Sequence, residues 1–127
     1  MTNSAGPKMY NCSGSVRLDD PHGSTKLHMD ITDAVNIMVW ANNCPDGKPG
    51  YALWHIWSAA DAAILRRFFL EEGFGGLGDL IHGQSIYVNE AMRERLLTRY
   101  NVRPHAIHQR PGDAVFIPAG CAHQVRH

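Results

Sequence analysis

The fold is decided near the end of the sequence by the stretch Gly112-Asp113-Ala114-Val115-Phe116-Ile117-Pro118-Ala119-Gly120-Cys121-Ala122-His123. It contains a polar turn, a short apolar strand over 114–117, a Pro-x-Gly corner and a histidine just past that corner. A tight turn sets the register of the strand, and Pro118 and Gly120 redirect the backbone after it. We therefore expect His123 to point into the mouth of a β-barrel.

A second motif, His28-Met29-Asp30, lies on an expected strand in the first third of the sequence. Side chains alternate along a strand, so an imidazole and a carboxylate two positions apart share one face and can bind one ion. Two histidines and one carboxylate form the facial triad typical of non-haem iron(II) oxygenases, which leaves three coordination positions open. The structural alternative is an ordinary hydrogen bond between His28 and Asp30, with His123 capping a turn.

The hydrophobic pattern predicts strands on both sides of a central helical insertion. The expected strands cover 8–16, 25–40, 52–57, 106–109 and 114–117, and the part over 35–40 is expected to be buried. One expected helix covers 59–72, capped by Ser58 and ended by Gly73, and a second runs from Asn89 to about Tyr100. The glycine-rich segment over 73–83 is expected to be irregular.

Length and composition favour one compact domain over 1–127. Twelve basic residues balance 12 acidic ones, so no net field would hold the chain on nucleic acid or an anionic membrane. No apolar run approaches the roughly 18 residues of a membrane span, and the polar start lacks the layout of a signal peptide. Three widely spaced cysteines argue against a disulfide framework and against a four-thiolate zinc site. We expect a soluble, intracellular protein with reduced thiols.

Five stretches resemble the JmjC (jumonji) domain of the hairless-related branch of histone H3 lysine demethylases, in the cupin superfamily. They cover 6–11, 23–39, 52–57, 81–85 and 112–125. The resemblance implies a mainly β fold, the double-stranded β-helix or cupin jelly roll, with a helical insertion between the motif-bearing strands. It also implies Fe(II), with 2-oxoglutarate and O2 as cosubstrates, and makes His28, Asp30 and His123 the iron ligands and catalytic residues.

The activity that this resemblance implies is demethylation of mono- and dimethyl-lysine on the histone H3 tail. In that reaction 2-oxoglutarate becomes succinate and carbon dioxide, and the methyl group leaves as formaldehyde. The implied location is the nucleus, with chromatin contacts made by regions outside this chain, and with no membrane or sequence-specific nucleic-acid binding by the domain itself. Two alternatives stay open: a JmjC hydroxylase acting on another protein side chain, and a catalytically impaired JmjC module that binds chromatin partners.

Three further residues match functional positions of the family. Thr25 corresponds to a threonine that contacts the 2-oxoglutarate carboxylate, and its alternative role is that of a β-branched strand former. Asn36 lies on the next expected strand, where an amide could hydrogen-bond the cosubstrate or an iron-bound oxygen, and its alternative role is to satisfy buried backbone groups. Tyr10 matches an aromatic residue near the methyl-lysine pocket, whose ring face suits a methylated ammonium, and its alternative role is that of a core tyrosine.

The sequence departs from many jumonji enzymes at Ala52, where those enzymes have a lysine that binds the far carboxylate of 2-oxoglutarate. The hairless-related branch shares this difference, and a lysine on the strand after the third ligand is its plausible substitute. The chain stops at His127, before such a strand is expected to form. We therefore expect a fragment of the family domain, with an incomplete barrel and an unpaired sheet edge.

Overall fold

The computed structural model describes residues 24–74, 81 and 86–127. The elements found there are β1 (Ser24–His28), β2 (Ala34–Ile37), β3 (Ala52–Ile56), a 3-10 turn (Ala59–Asp61), α1 (Ala62–Glu71), α2 (Glu90–Tyr100), β4 (His105–Gln109), β5 (Ala114–Ile117) and β6 (His123–Arg126). The strand expected over 8–16 and most of the segment over 73–83 lie outside the described residues.

The strands form two antiparallel sheets. The larger sheet has the order β1-β6-β3-β4, and the smaller sheet pairs β2 with β5. Both helices fall between β3 and β4 in the sequence. The predictions of a mainly β fold and of a helical insertion between the motif-bearing strands are therefore confirmed.

Two apolar clusters bury the two faces of the larger sheet. Side chains alternate along β3, so Trp54 and Ile56 point one way and Trp57, just past the strand, points the other. The inner cluster lies between the two sheets and includes Trp54, Ile56, Val115, Ile117 and Val125. The outer cluster packs the helices on the opposite face and includes Leu27, Trp57, Leu65, Phe68, Phe69 and Leu96.

A buried glutamine joins the two sheets. Gln109, at the end of β4, is 2% exposed. Its Oε1 accepts a hydrogen bond from the indole N–H of Trp54 at 2.8 Å, and its Nε2 donates to the main-chain oxygen and Oδ1 of Asn36 at 3.0 and 3.1 Å. Trp54 belongs to the larger sheet and Asn36 to the smaller one, so these bonds fix how the sheets lie against each other.

The helix ends follow the capping residues that the sequence predicted. The Asn89 side chain accepts a hydrogen bond from the N–H of Met92 at 2.9 Å, and α2 begins directly after it. Ser58 caps in the same way, but the element that it opens is the 3-10 turn, and α1 begins only at Ala62. The helical segment ends before Gly73, whose φ of 91° suits glycine. In the described part of the chain, no helix is long and apolar enough to cross a membrane.

The prediction of a buried strand over 35–40 is wrong. The strand ends at Ile37, and Val35 and Ile37 are 62% and 61% exposed, with Val39 at 83%. Alternation turns only Ala34, Asn36 and Met38 towards the inner cluster, and none of the described residues covers the outer face of β2. The apolar run over 35–40 indicated a strand that is buried on both faces. In the structure, β2 is buried on one face only.

The expectation that the chain stops before a strand can form after the third candidate ligand is wrong, because β6 begins at His123 itself. Its sequence, His123-Gln124-Val125-Arg126, has one aliphatic residue and no apolar alternation. Pairing on both sides, with β1 and with β3, nevertheless places it in the interior of the larger sheet. Gln124 is fully buried because its side-chain amide pairs with the N–H and C=O of Val88 at 2.7 and 2.9 Å.

Candidate metal centre

The ends of two neighbouring strands bring His28 and His123 together. His28 is the last residue of β1 and His123 the first of β6, and their Cα atoms are partners in the antiparallel register. Directly opposed residues project to the same face of a sheet. The ring centroids are accordingly 4.2 Å apart, with the ring planes tilted by 59°.

Asp30 completes the cluster from the loop that follows β1. Its Oδ2 lies 3.8 Å from Nε2 of His28 and 3.7 Å from Nε2 of His123. The candidate ligand atoms of all three residues lie within 4.8 Å of one another. Asp30 was expected on the strand itself, but β1 ends at His28 after an irregularity in its pairing. The structure thus brings together the three residues that the sequence singled out, whereas their binding of a metal stays a prediction.

Each histidine is held by the same kind of bond. Nδ1 of His28 lies 2.9 Å from the main-chain oxygen of Lys26, and Nδ1 of His123 lies 3.0 Å from that of Cys121. A carbonyl only accepts, so each Nδ1 is the donor in these bonds, and in the neutral form of such a ring Nε2 presents its lone pair. Both Nε2 atoms are thereby available to bind a cation together with Asp30.

The cluster opens to solvent on one side. The side chain of His123 is 5% exposed and that of His28 16%, whereas that of Asp30 is 47% exposed. Burial lowers the pKa of His123, although the bond to Cys121 and the charge of Asp30 act in the opposite direction. Burial therefore favours the neutral ring, which is the form that binds a metal.

The donor set fits a divalent transition metal, and so do the two distances from Asp30 to the histidines. Two imidazole nitrogens and one carboxylate oxygen are the ligands that iron(II) takes in a facial triad. Atoms that each lie about 2 Å from one ion are at most about 4 Å apart. The distances of 3.8 and 3.7 Å from Asp30 to the two histidines fall within that limit, and the candidate ligand atoms of the two histidines lie within 4.8 Å of each other.

A pair of hydrogen bonds ties the corner before His123 to the loop that carries Asp30. The N–H of Gly120 donates to the main-chain oxygen of Asp30 at 3.0 Å, and the N–H of Ala119 donates to Oδ1 of Asp33 at 2.7 Å. Gly120 adopts a φ of 79°, which a residue with a side chain rarely adopts. Asp33 was not singled out from the sequence, because its only signal is an aspartate shortly after the His-x-Asp pair.

Trp54 contacts the centre from β3. Its ring lies 6.0 Å from that of His123, with 23° between the planes, and it is 4% exposed. Trp54 and Trp57 are both buried. Trp54 also forms the apolar wall beside His123.

The other residues singled out from the sequence are the candidates for binding the cosubstrate and the substrate. Thr25 is half-buried in β1, opposite Val125. Asn36 faces inward from β2, and its Oδ1 accepts from Gln109, so the structural role considered for it is present. Tyr10 lies outside the described residues. Ala52 is fully buried at the start of β3.

A cavity of about 350 Å³ opens at the same end of the sheets. Ile56, which pairs with His123 across β3 and β6, is in its wall. Most of the lining is apolar, and it includes Trp57, Ile107, Phe116, Pro118 and Cys121. The cavity therefore offers a mainly apolar space at the same end of the sheets as the candidate metal centre.

Comparison with known proteins identifies what this arrangement is similar to. The model of a family described as "JmjC domain, hydroxylase" matches residues 16–127. The chain is 41% identical to Lysine-specific demethylase 3 of Drosophila melanogaster, 37% identical to Lysine-specific demethylase 3A of Homo sapiens, and 33% identical to human Probable JmjC domain-containing histone demethylation protein 2C. Each alignment covers 96% of this chain but only 18%, 12% and 6% of the relative, so the chain spans less than a fifth of these proteins.

Proposed function

Because this chain belongs to the JmjC domain family, with its cupin-type fold, we propose that it is an Fe(II)- and 2-oxoglutarate-dependent oxygenase that demethylates lysine side chains of histones. The observation that carries the proposal is the meeting of His28, Asp30 and His123, with ligand atoms within 4.8 Å of one another. Support also comes from relatives that are named lysine-specific demethylases.

The iron would be held by Nε2 of His28, Nε2 of His123 and a carboxylate oxygen of Asp30. When bound, Fe(II) with 2-oxoglutarate activates O2 for oxidation of the N-methyl group, which then leaves as formaldehyde. The protein's own contribution is to hold three ligands on one side of the ion and to leave the other side open. The bonds from the two Nδ1 atoms to carbonyls fix both rings for that task before any ion binds.

The surroundings of the triad suit this chemistry. The buried indole of Trp54 against His123 excludes water from one side, and the half-exposed Asp30 marks the side from which a substrate enters. Rigid strand ends position a methyl group better than mobile loops, and positioning accounts for much of the acceleration in such reactions.

For the cosubstrate, we propose Thr25 and the amide nitrogen of Asn36 as hydrogen-bond donors. Gln109 donates to Oδ1 of Asn36, so a ligand would be bound by the side-chain nitrogen of Asn36. Ala52 offers no charge to the far carboxylate, so the counter-charge has to come from elsewhere than this position of β3.

The proposed substrate is mono- or dimethyl-lysine in the histone H3 tail, with Tyr10 contacting the methylated ammonium. A nuclear location and contact with chromatin through other regions follow from that substrate. The description of the family model as a hydroxylase favours a second candidate, hydroxylation of a different protein side chain.

The two functions differ in their products. We expect this chain, supplied anaerobically with Fe(II) and then with O2 and 2-oxoglutarate, to release formaldehyde from a dimethyl-lysine H3 peptide. Asp30→Ala should abolish release because it removes a ligand, whereas His108→Ala, which alters an exposed histidine of β4, should leave the rate within about twofold. Succinate without formaldehyde would favour the second candidate, and equal rates in Asp30→Ala and wild type would contradict both.

A further inference from the structure

The corner over 118–120 has to stay in place for His123 to face Asp30. The chain leaves β5 at Ile117, turns through Pro118, Ala119 and Gly120, and enters β6 at His123. Between these strands, two main-chain N–H groups of the corner, those of Ala119 and Gly120, donate to the loop after β1. The two loops belong to distant parts of the sequence and carry different candidate ligands.

The two bonds differ in how they depend on the sequence. The bond from the N–H of Gly120 ends on the main-chain oxygen of Asp30. It therefore does not depend on which side chain stands at position 30. The bond from Ala119 ends on the Asp33 carboxylate at 2.7 Å, a length typical of charge-assisted hydrogen bonds. Only a side chain of this length with an acceptor oxygen can make the second bond.

We infer that Asp33 is a positioning residue for the metal centre, which holds the corner over 118–120 against the Asp30 loop and so sets the distance between His123 and Asp30. The inference rests on the metal site proposed above. Residues that orient metal ligands typically change metal affinity by about 10- to 100-fold when they are altered. Because Asp33 is an exposed residue with one such bond, we expect the lower end of that range.

The test compares three substitutions of Asp33 in this chain. Asp33→Asn keeps the length and an acceptor oxygen, Asp33→Glu keeps the charge but shifts the oxygens by one methylene, and Asp33→Ala removes both. Affinity is measured by calorimetric titration with Co²⁺. We expect Asn to bind within about threefold of wild type, and Glu and Ala to bind about 10-fold more weakly.

Amide hydrogen exchange in the metal-free chain supplies an independent readout. The N–H of Ala119 should lose protection in Asp33→Ala and Asp33→Glu but keep it in Asp33→Asn. The matched control is Asp46→Ala, since Oδ1 of Asp46 accepts from the N–H of Lys48 at 3.0 Å in the loop between β2 and β3. That variant should bind Co²⁺ as wild type does.

Each outcome decides between distinct accounts. Tight binding by Asp33→Glu with weak binding by Asp33→Asn would overturn the inference, because Asp33 would then act only through its charge. Wild-type affinity in all three variants would overturn it as well. If Asp33→Ala does not fold, the comparison of Asn with Glu still decides. Failure of the wild-type chain itself to bind Co²⁺ would instead contradict the proposed metal site.

Discussion

At the scale of single residues, the candidate centre depends on which nitrogen of each histidine faces Asp30. Both histidines donate from Nδ1 to the carbonyl two positions earlier in the chain, that of Lys26 for one and that of Cys121 for the other. The two motifs were sufficient to single out the three candidate ligands. They could not supply the carbonyl partners, because those depend on the backbone path at the end of β1 and after the Pro-x-Gly corner.

His55 is a second histidine whose surroundings set its protonation, on the opposite face of β3. It is 4% exposed, and its Nδ1 accepts a hydrogen bond from the side chain of Gln124. Burial is the main cause that lowers the pKa of His55 from 6.5 to about 4. Positive charge on Arg93 and Arg126, and then His108, acts in the same direction.

The lowered pKa of His55 predicts a loss of stability in acid. The unfolded chain binds this proton near pH 6.5 and the folded chain only near pH 4, so stability is complete above 6.5 and falls as the pH drops through that window. At pH 5 the loss in free energy of unfolding should be about 2 kcal/mol. Urea unfolding of the metal-free chain at pH 7.5 and 5.0 measures it, with His55→Asn as the variant that lacks the titration. An equal loss in both proteins would contradict the assignment.

At the scale of elements, local signals predicted the segments whose boundaries depend on local chemistry. Asn89 and Gly73 mark helix boundaries because capping and positive φ involve only near neighbours. The burial of β2 and the formation of β6 depend on the elements that pack against these strands. The sequence of a single strand does not identify those elements. β6 is held in the sheet by its two partners rather than by its own composition.

The packing of one sheet against the other should depend on Gln109. Gln109→Leu removes four hydrogen bonds at once, among them the bond from the indole N–H of Trp54 and two bonds to acceptors on Asn36. A buried donor left without a partner costs about 1–3 kcal/mol, so we expect a total loss of about 2–4 kcal/mol.

Urea unfolding at pH 7.5 checks the Gln109 prediction, with Asn43→Leu as the control, because it replaces the side-chain amide of an exposed loop residue. A loss below about 0.5 kcal/mol in Gln109→Leu, the range of ordinary surface changes, would show that the glutamine does not join the sheets.

At the scale of the whole molecule, sheet pairing is what turns two separate motifs into one candidate site. β6 pairs with β1 on one side and β3 on the other, which brings His123 opposite His28 and next to Trp54. The resemblance of the sequence to the JmjC domain anticipated this closure, and the family assignment confirms that resemblance. The expectation that the chain is a fragment of the family domain stays a prediction.

The central claim is that His28, Asp30 and His123 bind one iron ion which also takes up 2-oxoglutarate. Anaerobic titration of this chain with Fe(II), with and without 2-oxoglutarate, tests it most directly. We expect one ion per chain and a weak visible charge-transfer band that requires both components and disappears in His28→Ala and Asp30→Ala. Binding of Fe(II) that those two substitutions leave unchanged would contradict the claim.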